Sequence, residues 1–292
     1  MRVEVTDVFL RDGLQDEPVL VATEDKLRVA EAMMDAGIGR LEVASFVNPA
    51  RVPQMGDAHE LFAGLNRRAG VEYTALALNG KGITRAINAG VSEISVVSSA
   101  SQAHSSANAG ASIEDALASL AEDVAKYPAI RFVAGISTAF TCPFEGEISA
   151  EHLLRVVRAF KSMGINDIGL ADTLGTTEPG RLMDSVKYVQ DQEPELTYYL
   201  HLHNAHGKAL ETVGLAVDAG ITRFDAALGG YGGCPFAPGA AGNLSTGELV
   251  SYLHAQGHDT GIDEVALAEA TALAQSVVAA SPALAPKELP AR

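Results

Sequence analysis

Tryptophan is absent from this chain, cysteine occurs twice, and aromatic residues make up only 5% of it. Two cysteines, Cys142 and Cys234, are too few for a disulfide scaffold and suit a reducing compartment. Basic residues are scarce as well: 21 Lys and Arg against 37 Asp and Glu leave a formal net charge of −16. Such a surface repels phosphate and argues against a nucleic-acid partner. It says little about any one pocket, where a local cation such as Arg11 or Lys81 decides whether an anion binds. No apolar run reaches the length of a membrane span, so no membrane partner is expected. The first strand is expected from Val3, which leaves no room for a secretory or transit peptide. A cytoplasmic protein is the expectation.

What the chain does contain is one junction repeated. A helix ends at glycine, an aliphatic residue and two spacers follow, and a strand begins. The pattern stands at Gly37-Ile-Gly-Arg-Leu41, Gly90-Val-Ser-Glu-Ile94, Gly164-Ile-Asn-Asp-Ile168 and Gly220-Ile-Thr-Arg-Phe224. Glycine fits the left-handed residue just past a helix end, and the short spacing is typical of αβ loops. Eight strands are expected, at 3–10, 40–46, 72–78, 93–99, 130–138, 167–173, 196–203 and 223–228. Helical patterns alternate with them, as at Thr23–Met34, Ser112–Lys126, Ser149–Met163 and Lys208–Asp218. Ser112 with Asp115 reads as a helix-start cap. Runs such as Phe132-Val-Ala-Gly-Ile136 are apolar on both faces, as parallel strands covered by helices must be. Eight alternations over 292 residues predict a single-domain α/β protein, a closed (β/α)8 TIM barrel. The competing architecture is an open doubly wound sheet, but no Gly-x-Gly-x-x-Gly follows the first strand. Residues 262–292 are expected to form an extra C-terminal helix and a loose, proline-containing tail.

Barrel active sites lie at the carboxyl ends of the strands. Polar residues expected there are Arg11 and Asp12 (strand one), Glu42 and Ser45 (two), Asn79 (three), Asp172 (six), and His201 and His203 (seven). Alternate strand residues share a face, so His201 and His203 present two imidazoles on one side. With Asp12 as an anionic oxygen they form three parts of a divalent metal site, and Asn243 can add a carbonyl oxygen. Such mixed N/O ligation suits Mg²⁺, Mn²⁺ or another divalent metal. The alternative for each residue singly is a hydrogen-bonded barrel side chain. The loop from Gly229 to Gly242 has too little side chain to be core, and its glycines allow close approach to a ligand. Cys234 within it is an acid, a nucleophile or a small hydrophobe. His206 and His104 sit at the same barrel end, whereas His59 and His152 fall on amphipathic helices as surface residues.

These residues closely resemble the hydroxymethylglutaryl-CoA lyase family, metal-dependent TIM-barrel acyl-CoA lyases related to isopropylmalate synthases. The resemblance covers nearly the whole chain. It includes Arg11-Asp-Gly-Leu-Gln15, Glu42 with Ser45-Phe-Val, Val52-Pro-Gln-Met-Gly-Asp57, Cys142-Pro-Phe-Glu-Gly146, Asp172-Thr with Gly175, His201-x-His203 and Gly232-Gly-Cys-Pro-Phe through Asn243. It implies a carbon–carbon lyase that cleaves a 3-hydroxy-3-methylglutaryl-CoA-like 3-hydroxyacyl-CoA to acetyl-CoA and a keto acid. It further implies that Asp12, His201, His203 and Asn243 bind Mg²⁺ or Mn²⁺. Cys234, Arg11, Glu42 and Asp172 are the implied catalytic residues, with Cys234 in proton transfer. Arg11, Gln15, Ser45, Asn79 and His206 are the substrate-binding candidates. The first base stays open among Asp172, Glu42 and His201. A homodimer is expected from the resemblance alone.

Departures lie on the parts that face the acyl group. After the His pair the chain reads Asn204-Ala-His206-Gly; strand six carries Gly169-Leu-Ala171-Asp; and Ser101 to Gly110 lacks the family's aromatic residue and second asparagine. Such changes redirect specificity where a polar site leaves analogues unpaired. A related substrate such as citramalyl-CoA is the alternative, then a Claisen-type synthase, then a non-catalytic acyl-CoA-binding barrel.

Overall fold

The computed structural model describes residues 1–233 and 242–284. Eight strands close into a parallel barrel: β1 (Glu4–Asp7), β2 (Arg40–Ser45), β3 (Glu72–Ala77), β4 (Glu93–Ser99), β5 (Arg131–Ser137), β6 (Asp167–Asp172), β7 (Thr197–Leu202) and β8 (Arg223–Ala226). Each strand neighbours the next in sequence, and β1 pairs β8 with Glu4 opposite Arg223. The result is the (β/α)8 TIM barrel that the alternation predicts. The repeated junctions explain its regularity: Gly37, Gly90, Gly164 and Gly220 all adopt positive φ, which ends each helix and turns the chain into the next strand.

Several elements differ from the sequence reading. The first strand was expected to run to residue 10, but it ends at Asp7 and a π-helical turn, Phe9–Gly13, follows. Its cause is local. The Val8 carbonyl accepts from the backbone of Arg11, Asp12 and Gly13, while Phe9 N donates to Asp7 Oδ1 at 2.8 Å. Arg11 and Asp12 therefore sit on this turn rather than on the strand. After β4 a further helix appears, Gln102–Ala109, capped by Ser101. A short antiparallel hairpin, Thr141–Cys142 with Gly146–Glu147, stands between β5 and its helix. The tail is not loose at its start, since Leu20 N donates to Pro282 O and Leu284 N to Pro18 O. The C-terminal helix, Glu264–Ala280, is capped by Asp263 and packs on the helix Thr23–Asp35.

The main core fills the layer between strands and helices, with Val29, Met33, Leu41, Phe160, Leu182 and Phe224 all buried. Inside the barrel the packing is polar. Thr6, Arg40, Glu42, Thr74, Tyr199 and Arg223 surround a cavity of about 20 Å³, room for roughly one water. The Arg223 guanidinium lies 4.1 Å above the Tyr199 ring, and Arg40 pairs with the buried Glu93. Ions enclosed this way cost desolvation, and their pairing offsets it. The polar interior is continuous with the mouth through Glu42 and Asp225.

Asp7 is fully buried at the foot of the π turn and accepts from Thr246 Oγ1 at 2.6 Å. Burial, opposed by the Thr246 and Phe9 hydrogen bonds, pushes its carboxyl up to about 7. A carboxyl raised on folding stabilises the fold when protonated, and that contribution fades as pH rises from its ordinary value through about 7. The loss amounts to about 4 kcal/mol. Asp7→Asn removes this dependence: urea unfolding of parent and variant should diverge between about pH 4 and pH 7 and run parallel above that range. Parallel curves throughout would show that Asp7 is ionised in the fold at all these values.

Candidate active site

Three elements meet at the carboxyl end of the barrel. The π turn brings Arg11 and Asp12, β2 brings Glu42, and β7 brings His201 with His203 one residue beyond. The Nε2 atoms of His201 and His203 lie 3.3 Å apart, as the strand alternation predicts. One ligand atom each from Asp12, His201 and His203 falls within 4.8 Å of the others, the geometry of a divalent site. Asn243 joins them from beyond β8. Its Nδ2 donates to Asp12 Oδ2 at 2.7 Å and to Tyr231 O at 2.9 Å, and its backbone bridges to His203. The Asn243 Oδ1 is buried and has no hydrogen-bond partner among the described residues. A buried carbonyl left over beside two converging imidazoles and a carboxylate fits a cation.

Gly232 makes this approach possible. Its φ is +97°, and a Cβ there would sit 2.4 Å from Asn243 Nδ2 and 3.0 Å from the Asp12 carbonyl. Any side chain at 232 pushes Asn243 off Asp12.

Arg11 ties the cluster together. Its Nε donates to Glu42 Oε2 at 2.5 Å, and its Nη1 bonds Asp12 Oδ1. Burial works against the Arg11 charge, but Asp12 and Glu42 outweigh it and the guanidinium stays cationic. Burial equally disfavours the Asp12 carboxylate, yet Arg11 and the two imidazoles hold it well below the usual range. Glu42 goes the other way: burial raises its pKa, and Arg11 reverses this only in part. For His201, burial is outweighed by the hydrogen bond to Asp225 and the charge of Asp12, and its pKa is raised.

Other expected residues are placed differently. Asp172 ends β6 as expected, but both its oxygens accept from Thr177, at 2.7 Å from Oγ1 and 3.2 Å from N. Ser45 is fully buried and its Oγ has no hydrogen-bond partner among the described residues. Asn79 caps the helix Gly80–Asn88 by accepting from Gly82 N at 3.0 Å. Gln15 is half-buried just past the π turn, and His206 is exposed. His104 is buried beside Ser99 Oγ at 3.1 Å. Cys142 is buried, with Sγ 2.9 Å from Ser101 Oγ. Cys234 lies outside the described residues.

The sequence reading missed Asp7 and Asp225. An acid inside Phe224-Asp-Ala-Ala-Leu228 was a visible signal, because a charge in a strand covered by helices has only the barrel interior to face. Asp7, within Val5-Thr-Asp-Val-Phe-Leu10, carried a similar signal, but its partner did not, since Thr246, which bonds it, is 239 residues away.

A barrel of eight βα units with an acid, two histidines and an amide gathered at its mouth is a TIM-barrel enzyme with a site able to hold a divalent cation. Comparison with known proteins narrows the class. The HMGL-like family model matches residues 2–274, and the chain belongs to that family. It is 37% identical over 264 residues to the mitochondrial hydroxymethylglutaryl-CoA lyase of Gallus gallus, covering 90% of this chain and 89% of that protein. It is 35% identical over 271 residues to the 3-hydroxy-3-isohexenylglutaryl-CoA/hydroxymethylglutaryl-CoA lyase of Pseudomonas aeruginosa, covering 92% and 90%. Among solved structures, the HMG-CoA lyase of Acinetobacter baumannii in complex with coenzyme A and 3-methylmalate superposes with a TM-score of 0.91. That match has 38% identity and covers 95% of this chain and 92% of the other. The chain is a carbon–carbon lyase of a metal-dependent family. Its relatives include mitochondrial and cytoplasmic forms, and among the described residues no helix is long and apolar enough to cross a membrane.

Proposed function

We propose that this chain cleaves a 3-hydroxy-3-methylglutaryl-CoA-like 3-hydroxyacyl-CoA to acetyl-CoA and a keto acid. The observation that carries the reading is the joined cluster in which Arg11 bridges Glu42 and Asp12 while Asp12 faces His201, His203 and the Asn243 amide. Asp12, His201, His203 and Asn243 are the residues that would hold Mg²⁺ or Mn²⁺. Once bound, such an ion supplies Lewis-acid polarisation of the substrate's oxygens.

The rest of the chemistry falls to side chains. Removing the carbinol proton sends its electron pair into a ketone C=O, and the carbon–carbon pair departs as an acyl-CoA enolate. Arg11, cationic and held between two carboxylates, binds the thioester oxygen where that negative charge develops. Glu42 is the base we favour. Burial raises its pKa, as it does that of Asp172, but both Asp172 oxygens are already taken up in accepting from Thr177. Cys234 would return a proton to the enolate carbon, giving acetyl-CoA. Gln15, Ser45 and His206 are proposed substrate contacts; Asn79 joins them only if it leaves its helix cap.

Coenzyme A bound in the Acinetobacter baumannii relative supports an acyl-CoA substrate. The Pseudomonas aeruginosa relative, named for two acyl groups, favours a second reading in which a longer 3-substituent is accepted. Residues 1–292 would act as one lyase domain, as a homodimer in the cytoplasm. The test is cleavage of hydroxymethylglutaryl-CoA and citramalyl-CoA by purified, Mg²⁺-loaded protein, with products read by mass spectrometry. Acetyl-CoA plus acetoacetate from the first substrate is the expected result. Cleavage of citramalyl-CoA alone would move the assignment to that substrate, and no cleavage of either would sink the reading.

A further inference from the structure

We propose that Asp225 is the positioning residue for His201: it accepts from Nδ1–H and so turns the unprotonated Nε2 towards Asp12 and His203. This rests on the metal-site reading above. Asp225 and His201 are register partners on adjacent strands, β8 and β7, so their side chains leave the sheet on the same inner face. The Asp225 Oδ2 lies 3.3 Å from His201 Nδ1. On the far edge of the same ring, Nε2 lies 3.3 Å from His203 Nε2 and 4.0 Å from Asp12 Oδ2. Neutral imidazole carries one proton, and the nitrogen that holds it cannot ligate. A carboxylate accepts and never donates, so beside Nδ1 it fixes the proton there and leaves the Nε2 lone pair facing the cluster.

The surroundings suit the task. Asp225 is half-buried between the mouth cluster and the polar barrel interior, where Arg40 and Arg223 supply positive charge and Tyr199 supplies bulk. The backbone at this strand end is held as well: His203 bridges to Asn243, and Leu244 N donates to Leu202 O at 2.8 Å. His201, inside the strand, has ring rotation left to be fixed. Partners of this kind behind ligating histidines commonly tune metal affinity about 10–100-fold.

The experiment titrates Mn²⁺ into parent, Asp225→Ala, Asp225→Asn and Asp12→Asn proteins, with free Mn²⁺ read by electron paramagnetic resonance. Asp225→Ala should weaken Mn²⁺ about 10–100-fold, and Asp225→Asn, whose amide oxygen can still accept from Nδ1–H, should recover most of that loss. An Asp225→Ala protein that melts like the parent and binds Mn²⁺ equally well overturns the proposal. If Asp12→Asn also leaves binding unchanged, the metal-site reading fails with it; if Asp12→Asn abolishes binding, only the role of Asp225 fails. A second measurement needs no variant. Histidine ¹⁵N correlation spectra of the parent should show His201 as the Nδ1–H tautomer, and an Nε2–H tautomer would refute the assignment.

Discussion

Arg11→Lys is expected to lower kcat about 100- to 1000-fold, the cost of removing one donor from a developing oxyanion. Lysine keeps the charge but not the fork. In the parent, Nε goes to Glu42 and Nη1 to Asp12, and this planar arrangement sets both carboxylates while the proposed reading assigns the thioester oxygen to the same guanidinium. An ammonium on a flexible stem cannot span two carboxylates and an oxyanion in fixed geometry. Arg11→Ala adds a stability cost, since it leaves Glu42 and Asp12 buried without their counter-charge. That cost is roughly 3–5 kcal/mol. Steady-state kinetics on the lysine variant and urea unfolding of the alanine variant separate the two effects. A lysine variant within a few-fold of the parent kcat would remove Arg11 from transition-state stabilisation.

Removing the divalent ion is expected to abolish turnover altogether, and Asp12→Asn is expected to prevent its recovery. After chelation and gel filtration, activity should return with Mg²⁺ or Mn²⁺ in the parent. In Asp12→Asn it should stay lost at ion concentrations that saturate the parent. Losing a ligating carboxylate must cost at least as much affinity as losing an outer partner, about 100-fold. The physical reason lies in the charge balance. Arg11 neutralises one carboxylate of the Glu42–Asp12 pair, so the ion depends on what remains of Asp12's charge and on neutral imidazole nitrogens. Full activity after exhaustive chelation would show that Asp12, His201 and His203 are a hydrogen-bonded structural cluster.

Much of this site was legible because its residues are local in sequence or repeat at a fixed period. His201-x-His203 needs only the two-residue strand repeat to converge, and the 3.3 Å between the two Nε2 atoms agrees. Asp12, Glu42 and Asn243 were legible from type and place, being polar residues at strand ends or in the glycine-rich segment beyond the last. Asp225 was missed although it carried a signal, a charge between apolar neighbours in a strand, and its role depends on register with β7. Asp172 shows the limit in the other direction: its position at the end of β6 was readable, while the turn that commits its oxygens to Thr177 was not.

By itself, the amino-acid sequence determined the eightfold alternation, the positive-φ glycine junctions that enforce it, and the inventory of side chains at the barrel mouth. Those properties follow from short-range sterics and periodicity. Only the tertiary structure decided the π turn that swings Arg11 and Asp12 off β1, the polar barrel interior, and the pairings Arg11–Glu42, Asn243–Asp12 and Asp225–His201. These join residues 31, 231 and 24 positions apart. Which of several equally plausible polar partners meet is set by strand register and by glycines such as Gly232, and closing the barrel is what brings them together.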